Sequence, residues 1–425
     1  MQLKKLLGVK SIFSYANIIF AGFNAVSSIF LLKIFGVNLF GLFAYYSNYD
    51  NFLDYLGSHI RATFEASVPS SSDVRRVIES FAIIQFFFGL VSMFLFFLLS
   101  LLLDDRNAVR ICQIFVLLSP GKSYIAFFRV FSKISGDLHH YSLAILGVSL
   151  INVVVLALAY YGLSFFAYFW LRAFTLIFTV TLLIYYSGFG QRFGVGSFRF
   201  GLSELYKSSR VLLVYSFSTL LYLVCDKLLI GNLIGVSDLG FYVMSFIFYS
   251  FVQIISSSRL SSYFNNLMKG DHRVYRIILC KSFLFIITFV IFSEFILTLL
   301  LRIPFFRVYL NSVTYLFWLI PSSIPIIFLE IGYLYMISKG LLKKVNFWFI
   351  FVSIIYLALA LFSSLVSKNI IWFSVFFFFH QFALVFILMY RLEFLRHVYR
   401  NVFYTVKRPL LVLIGVHAIF ILLNS

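Results

Sequence analysis

The residues of this sequence best suited to chemistry are charges set among apolar neighbours. Asp50 and Asp54 stand in one such stretch. At 100° per residue, Ser47, Asp50, Asp54, Gly57 and Arg61 fall within about a quarter of a helix circumference, so they form one polar stripe. Two carboxylates one helical turn apart repel when both are ionised, which makes them a candidate site for a coupling proton or cation. A second interruption is Asp226 with Lys227. Adjacent helical residues point about 100° apart, so these two are not expected to neutralise one another on one face. At least one should seek another partner, and Arg172, Glu294 and Glu330 are the candidates. Gln253, Ser256, Ser257 and Arg259 form a further polar group, with Arg61 and Arg259 each near the end of an apolar run.

Other signals lead nowhere. Pro120-Gly121-Lys122-Ser123 resembles the end of a phosphate-binding loop, but Val116 replaces the upstream glycine and no strand precedes it, so a helix interruption is expected there. His139 and His140 lack further ligands, and His59, His380 and His417 read as interfacial or packed side chains. Cys112, Cys225 and Cys280 show no ligand spacing and are expected as free thiols. No metal and no cofactor is expected.

The elements that hold these charges follow from composition. Hydrophobic residues make up 62%, charged residues only 12%, and mean hydropathy is +1.01; a water-soluble core cannot absorb that. A spanning helix needs roughly 20 apolar residues, so the chain has room for about twelve. Apolar runs place them at 11–33, 40–59, 80–103, 111–131, 141–161 and 165–187, then at 211–234, 239–258, 283–301, 312–338, 345–366 and 370–390. The expected fold is an all-α integral membrane protein with two six-helix halves, 1–187 and 211–390. They are joined by a basic cytoplasmic linker at 188–210 and followed by a basic tail, 391–425, whose apolar segment Leu410 to Leu423 is short for a span. Pro321 and Pro325 predict a kink in the tenth helix. The formal charge of +19 comes from basic residues that punctuate apolar segments instead of forming a patch, which argues against a nucleic-acid partner. With the N-terminus cytoplasmic, about 25 of the 34 Lys and Arg residues fall on the inner side, as the positive-inside rule requires.

The two halves also carry a repeat. Gly36, Gly41, Phe43 and Phe64 match Gly235, Gly240, Tyr242 and Tyr263 at one offset, since 235 minus 36 is 199. Six helices separate the copies, so both have the same orientation. That predicts a pseudo-two-fold axis along the membrane normal, as in transporters whose halves rock around a shared cavity.

Gly36 through Gly41-Leu42-Phe43, with Asp226-Lys227, Gly231, Gly235, Gly240 and Tyr242, resembles the Wzx-type polysaccharide repeat-unit flippases of the superfamily that includes the MATE exporters. The resemblance implies a bacterial inner-membrane transporter, not an enzyme. Its cargo would be an undecaprenyl-pyrophosphate-linked oligosaccharide of an O-antigen or capsule, crossing by alternating access with H+ or Na+ as coupling ion among membrane lipids. Partners implied are the polysaccharide polymerase and chain-length regulator. Under it, Arg61, Arg172, Lys227 and Arg259 would bind the cargo's pyrophosphate, arginine through its planar fork, and Asp50, Asp54 and Asp226 would couple the ion. The first helix carries only Lys33 near its end, which departs from a helix-one arginine site. The alternatives are a MATE-like small-molecule exporter and a membrane polymerase or glycosyltransferase, the latter disfavoured by short outer connections.

The topology has a direct check. Single cysteines placed at Asp105 and Lys368 should react with an impermeant thiol reagent added outside, and labelling only from the cytoplasm would refute the helix assignment.

Overall fold

The computed structural model describes residues 2–67, 74–135, 138–186, 216–262 and 310–393 continuously, with shorter pieces near 279–292 and 395–402. The linker 188–210, Glu294 and the segment 410–423 fall almost wholly outside the described residues. The chain divides into two compact units, Met1–Leu220 and Leu221–Ser425. Described secondary structure is helical throughout. Among the described residues, eight helices are long and apolar enough to cross a membrane, or nine with one bent pair counted as a span.

The first unit holds α1 (Gln2–Phe35), α2 (Val37–Ser67), α3 (Val74–Leu102), α4 (Arg106–Ser135), α5 (Leu138–Tyr160) and α6 (Phe165–Tyr186). Of these only α2 is too polar to pass as a span on composition, because the Asp50, Asp54 and Arg61 stripe lowers its hydropathy. α4 is the most enclosed of the spans and packs against α2, α3 and α6, while α1 lies along α5. The surface is inverted relative to a soluble protein. On α3, Phe86, Leu90, Phe94 and Phe97 are exposed while Ser92 is buried, which suits hydrocarbon surroundings with polar groups satisfied inside.

The second unit opens on a π-helical turn, Leu221–Cys225, and continues as α7 (Asp226–Leu233), α8 (Val236–Ser262), α9 (Leu310–Ser322), α10 (Ile326–Lys339), α11 (Lys343–Ser367) and α12 (Ile371–Arg391). α12 packs against α9, α10 and α11. The kink expected at Pro321 and Pro325 is present: the α9 and α10 axes diverge by 45°. Proline has no N–H to donate, and the gap is closed by short bonds from Ser323 N to Ile320 O and from Ile324 N to Pro321 O, at 3.0 and 3.1 Å.

The repeated glycines make the same turn twice. Gly36 (φ 83°) and Gly235 (φ 151°) each adopt a backbone closed to most side chains, then launch a helix. The carbonyl of Gly36 accepts from Phe40 N at 3.2 Å and that of Gly235 from Leu239 N at 3.1 Å. Those four residues keep the 199 offset. Glycine also permits close helix approach. A Cβ on Gly332 of α10 would lie 2.6 Å from Leu388 Cδ1 of α12 and 3.0 Å from the Tyr399 hydroxyl, whereas one on Gly147 of α5 meets nothing within 4 Å.

Gly332→Val should therefore lower the melting temperature of the purified protein, at a cost of about 1–3 kcal/mol for overpacking. Gly147→Ala should be neutral or slightly stabilising, by up to about 1 kcal/mol; equal effects would show that the two sites are packed alike.

Candidate functional site

In the first unit two polar contacts between helices meet on α4. The helix passes through Pro120 unbroken, so the interruption expected at Pro120 to Ser123 is not there. Within a packed bundle, neighbouring helices stabilise the turn that proline weakens. Each following residue serves a different helix. A Cβ on Gly121 would meet Leu176 of α6 at 3.2 Å, so the glycine allows close packing. Lys122 Nζ donates to Asp50 Oδ2 of α2 at 2.6 Å. The Ser123 hydroxyl accepts from Gln85 Nε2 of α3. No motif table would have selected Lys122; the signal was an ammonium in an apolar span needing a carboxylate one helix away.

The α2 stripe divides in two. The Asp50 side chain is 3% exposed and Lys122 39%, so the carboxylate is fixed in the interior while its partner reaches an open side. Asp54, 42% exposed, pairs with Arg61 of its own helix at 2.9 Å, and Arg61 Nη2 also donates to the Asp54 carbonyl at 3.3 Å. Arg172 of α6, half-buried, donates to Asn24 Oδ1 of α1 at 2.6 Å and lies 5.8 Å from the Tyr168 ring centre. Among the described residues no carboxylate pairs with Arg172, so its charge is held by a neutral amide.

The second unit buries a denser cluster. Asp226 and Lys227 do pair, contrary to the expectation from helical spacing: Nζ lies 3.1 Å from Oδ1 and 3.3 Å from Oδ2. The 100° rule places Cβ atoms, but the four-carbon lysine stem folds back along the helix, and the preceding π turn widens the backbone beneath it. The same Nζ donates to the Leu223 carbonyl at 2.8 Å and sits 3.4 Å from the centre of the Phe246 ring on α8. Asp226 also accepts from Lys227 N at 2.8 Å, from the Tyr242 hydroxyl at 2.8 Å and from the Tyr356 hydroxyl at 3.4 Å. Arg172, proposed above as a partner, instead bonds Asn24; Glu330 lies on α10.

Beside this cluster, His380 is buried and shares a 3.0 Å hydrogen bond with Ser353, while the Tyr249 hydroxyl donates to Gln381 Oε1 at 3.1 Å. His380 is thus a packed histidine. Arg259 lies in α8, and its side chain is outside the described residues. Among the described residues no group of three or more His, Cys, Asp or Glu side chains could hold a metal ion. An apolar cavity of about 700 Å³ adjoins the kink between α9 and α10, lined by Pro325, Phe328, Trp348, Phe386 and Tyr399 among others and, among the described residues, by no charged side chain.

No protein-family model and no curated protein matches the sequence. Solved structures do. The lipid II flippase MurJ in an inward closed conformation shares 15% identity over 96% of this chain and 97% of its own, with a TM-score of 0.61. The MATE multidrug transporter DinF-BH shares 13% over 92% and 96%, with a TM-score of 0.67. A MOP superfamily transporter from Pyrococcus furiosus shares 14% over 92% and 96%, with a TM-score of 0.53. This chain has their fold, that of an all-α, multi-pass membrane protein.

The Asp50–Lys122 pair makes a measurable claim. Lys122→Met should strand a buried carboxylate and cost about 2–3 kcal/mol, less than the about 3–5 of a fully enclosed pair because Lys122 is partly exposed. Asp54→Asn should cost less, about 1 kcal/mol, because the new amide oxygen and the Asp54 backbone carbonyl still accept from Arg61. Thermal unfolding of both variants in one detergent decides it, and the reverse order would refute the assignment.

Proposed function

We propose that this protein is a flippase that carries an undecaprenyl-pyrophosphate-linked oligosaccharide across the bacterial inner membrane by alternating access, coupled to H+ or Na+. The observation that supports it most is the contrast between carboxylates and Arg172. Asp50, Asp54 and Asp226 are each engaged by a cation of their own unit, while Arg172 is held by an amide and keeps its charge. An interior with neutralised acids and an uncompensated guanidinium suits an anionic cargo. A pyrophosphate leaving water needs such a cation in a low-dielectric setting, and the guanidinium fork can bond two phosphate oxygens at once. Arg61 and Arg259 complete the arginine set; Lys227, enclosed by Asp226, the Leu223 carbonyl and Phe246, stands outside it. The polymerase and chain-length regulator remain the proposed protein partners.

Coupling is assigned first to Asp50 and Asp54. A proton or sodium ion that reaches Asp50 competes with the ammonium of Lys122, whose exposure allows it to leave. The ion and the cargo then act on one bundle, since α2 carries the carboxylates and α6 carries Arg172. The exporter of small organic cations is the second reading, and it needs free acids where these three are already paired.

Transport of a labelled undecaprenyl-pyrophosphate oligosaccharide into proteoliposomes tests the proposal. Arg172→Ala should reduce the rate at least about tenfold, the scale of one lost charged hydrogen bond, and Arg172→Lys should recover part of it. The exposed Lys343 and Arg400 should tolerate alanine. The double change Asp50→Asn with Asp54→Asn should remove the response to an imposed ion gradient. Equal tolerance of alanine at Arg172 and Lys343 would overturn the cargo assignment.

A further inference from the structure

The Lys227 ammonium has the surroundings of a bound monovalent cation. Its ligands are two carboxylate oxygens at 3.1 and 3.3 Å, one backbone carbonyl at 2.8 Å and one aromatic face at 3.4 Å. Every donor Asp226 accepts is also in place: a backbone N–H, two tyrosine hydroxyls and the ammonium. The Lys227 side chain is 6% exposed and that of Asp226 is fully buried. This differs from the first unit, where a buried carboxylate meets a partly exposed lysine. A buried cation bonded on all sides has no route to exchange without opening the bundle, whereas Lys122 can leave Asp50 by a rotamer change toward its open side.

We infer that Lys227 is a tethered counter-cation: it permanently fills a monovalent-cation site built by Asp226, the Leu223 carbonyl and Phe246, so the second unit takes up no coupling ion and Lys227 contacts no cargo. This rests on the ion-coupled reading above and narrows it, leaving exchange to Asp50 and Asp54. The site is preformed around a unit charge. Carboxylate and carbonyl oxygens suit sodium or a small alkylammonium, and the Phe246 face favours the larger, softer organic cation. Removing the lysine side chain should convert the tethered site into one that binds such a cation from solution and is stabilised by mass action.

The test uses the full-length protein in detergent, followed by thermal unfolding in sodium, choline and n-propylammonium chlorides at matched ionic strength. Wild type should show no stabilisation by sodium or propylammonium that depends on Asp226. Lys227→Ala should melt several degrees lower in choline and regain most of the loss in propylammonium or sodium. The regain should vanish when Asp226→Asn is added. If Lys227→Ala does not fold, the volume-preserving double change Asp226→Asn with Lys227→Met decides the matter. It should fold with a melting temperature near wild type, because the lysine is needed only while the carboxylate is charged. Stabilisation of wild type by sodium that persists in Asp50→Asn with Asp54→Asn but disappears in Asp226→Asn would overturn the inference. So would a folded Lys227→Ala whose stability ignores all three cations, or a double variant that folds yet loses oligosaccharide transport that wild type shows. Absence of such transport by wild type would count against the cargo reading instead, since the melting measurements involve no cargo.

Discussion

A charge inside an apolar bundle must find a counter-charge or a polar partner within reach of its own side chain, and the polar architecture of this protein follows from that constraint. Water is absent from hydrocarbon, so an unpaired carboxylate or ammonium costs several kcal/mol where a solvated one costs nothing. Lys122 therefore reaches across from α4 to Asp50, Arg61 turns back to Asp54, and Lys227 curls onto its neighbour. The hydroxyls of Tyr242 and Tyr356 and the amides of Gln85, Gln381 and Asn24 extend the same rule to neutral groups. Aromatic packing surrounds these contacts: Phe43 of α2 stacks on Phe169 of α6 at 3.8 Å between ring centres.

The two units solve the problem differently at equivalent places. Adding 199 to Phe43, Ser47, Asp50 and Asp54 gives Tyr242, Phe246, Tyr249 and Gln253. The stripe of α2 is thus acidic, and its counterpart on α8 is aromatic and amide. The carboxylate of the second unit has moved to Asp226, one helix earlier, where the α8 aromatics enclose it. One scaffold, read twice, places an ion pair with an open side in one bundle and a sealed ion pair in the other.

Helices were legible because apolar runs of the right length mean little else in such a composition, and the kink was legible because proline cannot donate. The glycine turns at 36 and 235 are legible as a repeat in the sequence alone. Partner choice was not. Helical spacing separates Asp226 from Lys227 by 100°, yet a long flexible side chain and a π turn close the gap, and periodicity carries no information on either. Lys122 is hidden for another reason: its motif points to a loop chemistry that a continuous helix does not have, and the motif says nothing of the lysine's partner. A charge whose motif fails still needs a partner, and in an apolar span that need is the stronger clue. The polarity of α2 hides its length as well, since the charges of its stripe lower the hydropathy by which a span is read.

The π turn at Leu221–Cys225 has a consequence for how this segment can vary over evolutionary time. A π turn arises when one residue is inserted into an α-helix without disturbing the helix on either side, so the segment is one residue longer than a regular helix with the same end points. Deleting that residue would restore an unbroken hydrogen-bond ladder and yet rotate everything on one side of it by about 100°. The carboxylate at 226 would turn away from the tyrosines of α8 and α11 and face whatever lies a quarter-turn round. Point substitutions at 226 or 227 alter one charge, whereas a three-base deletion upstream would re-aim both while leaving their identities intact. Length variation in this stretch is accordingly a separate axis along which a descendant of this chain can open or close its sealed pair.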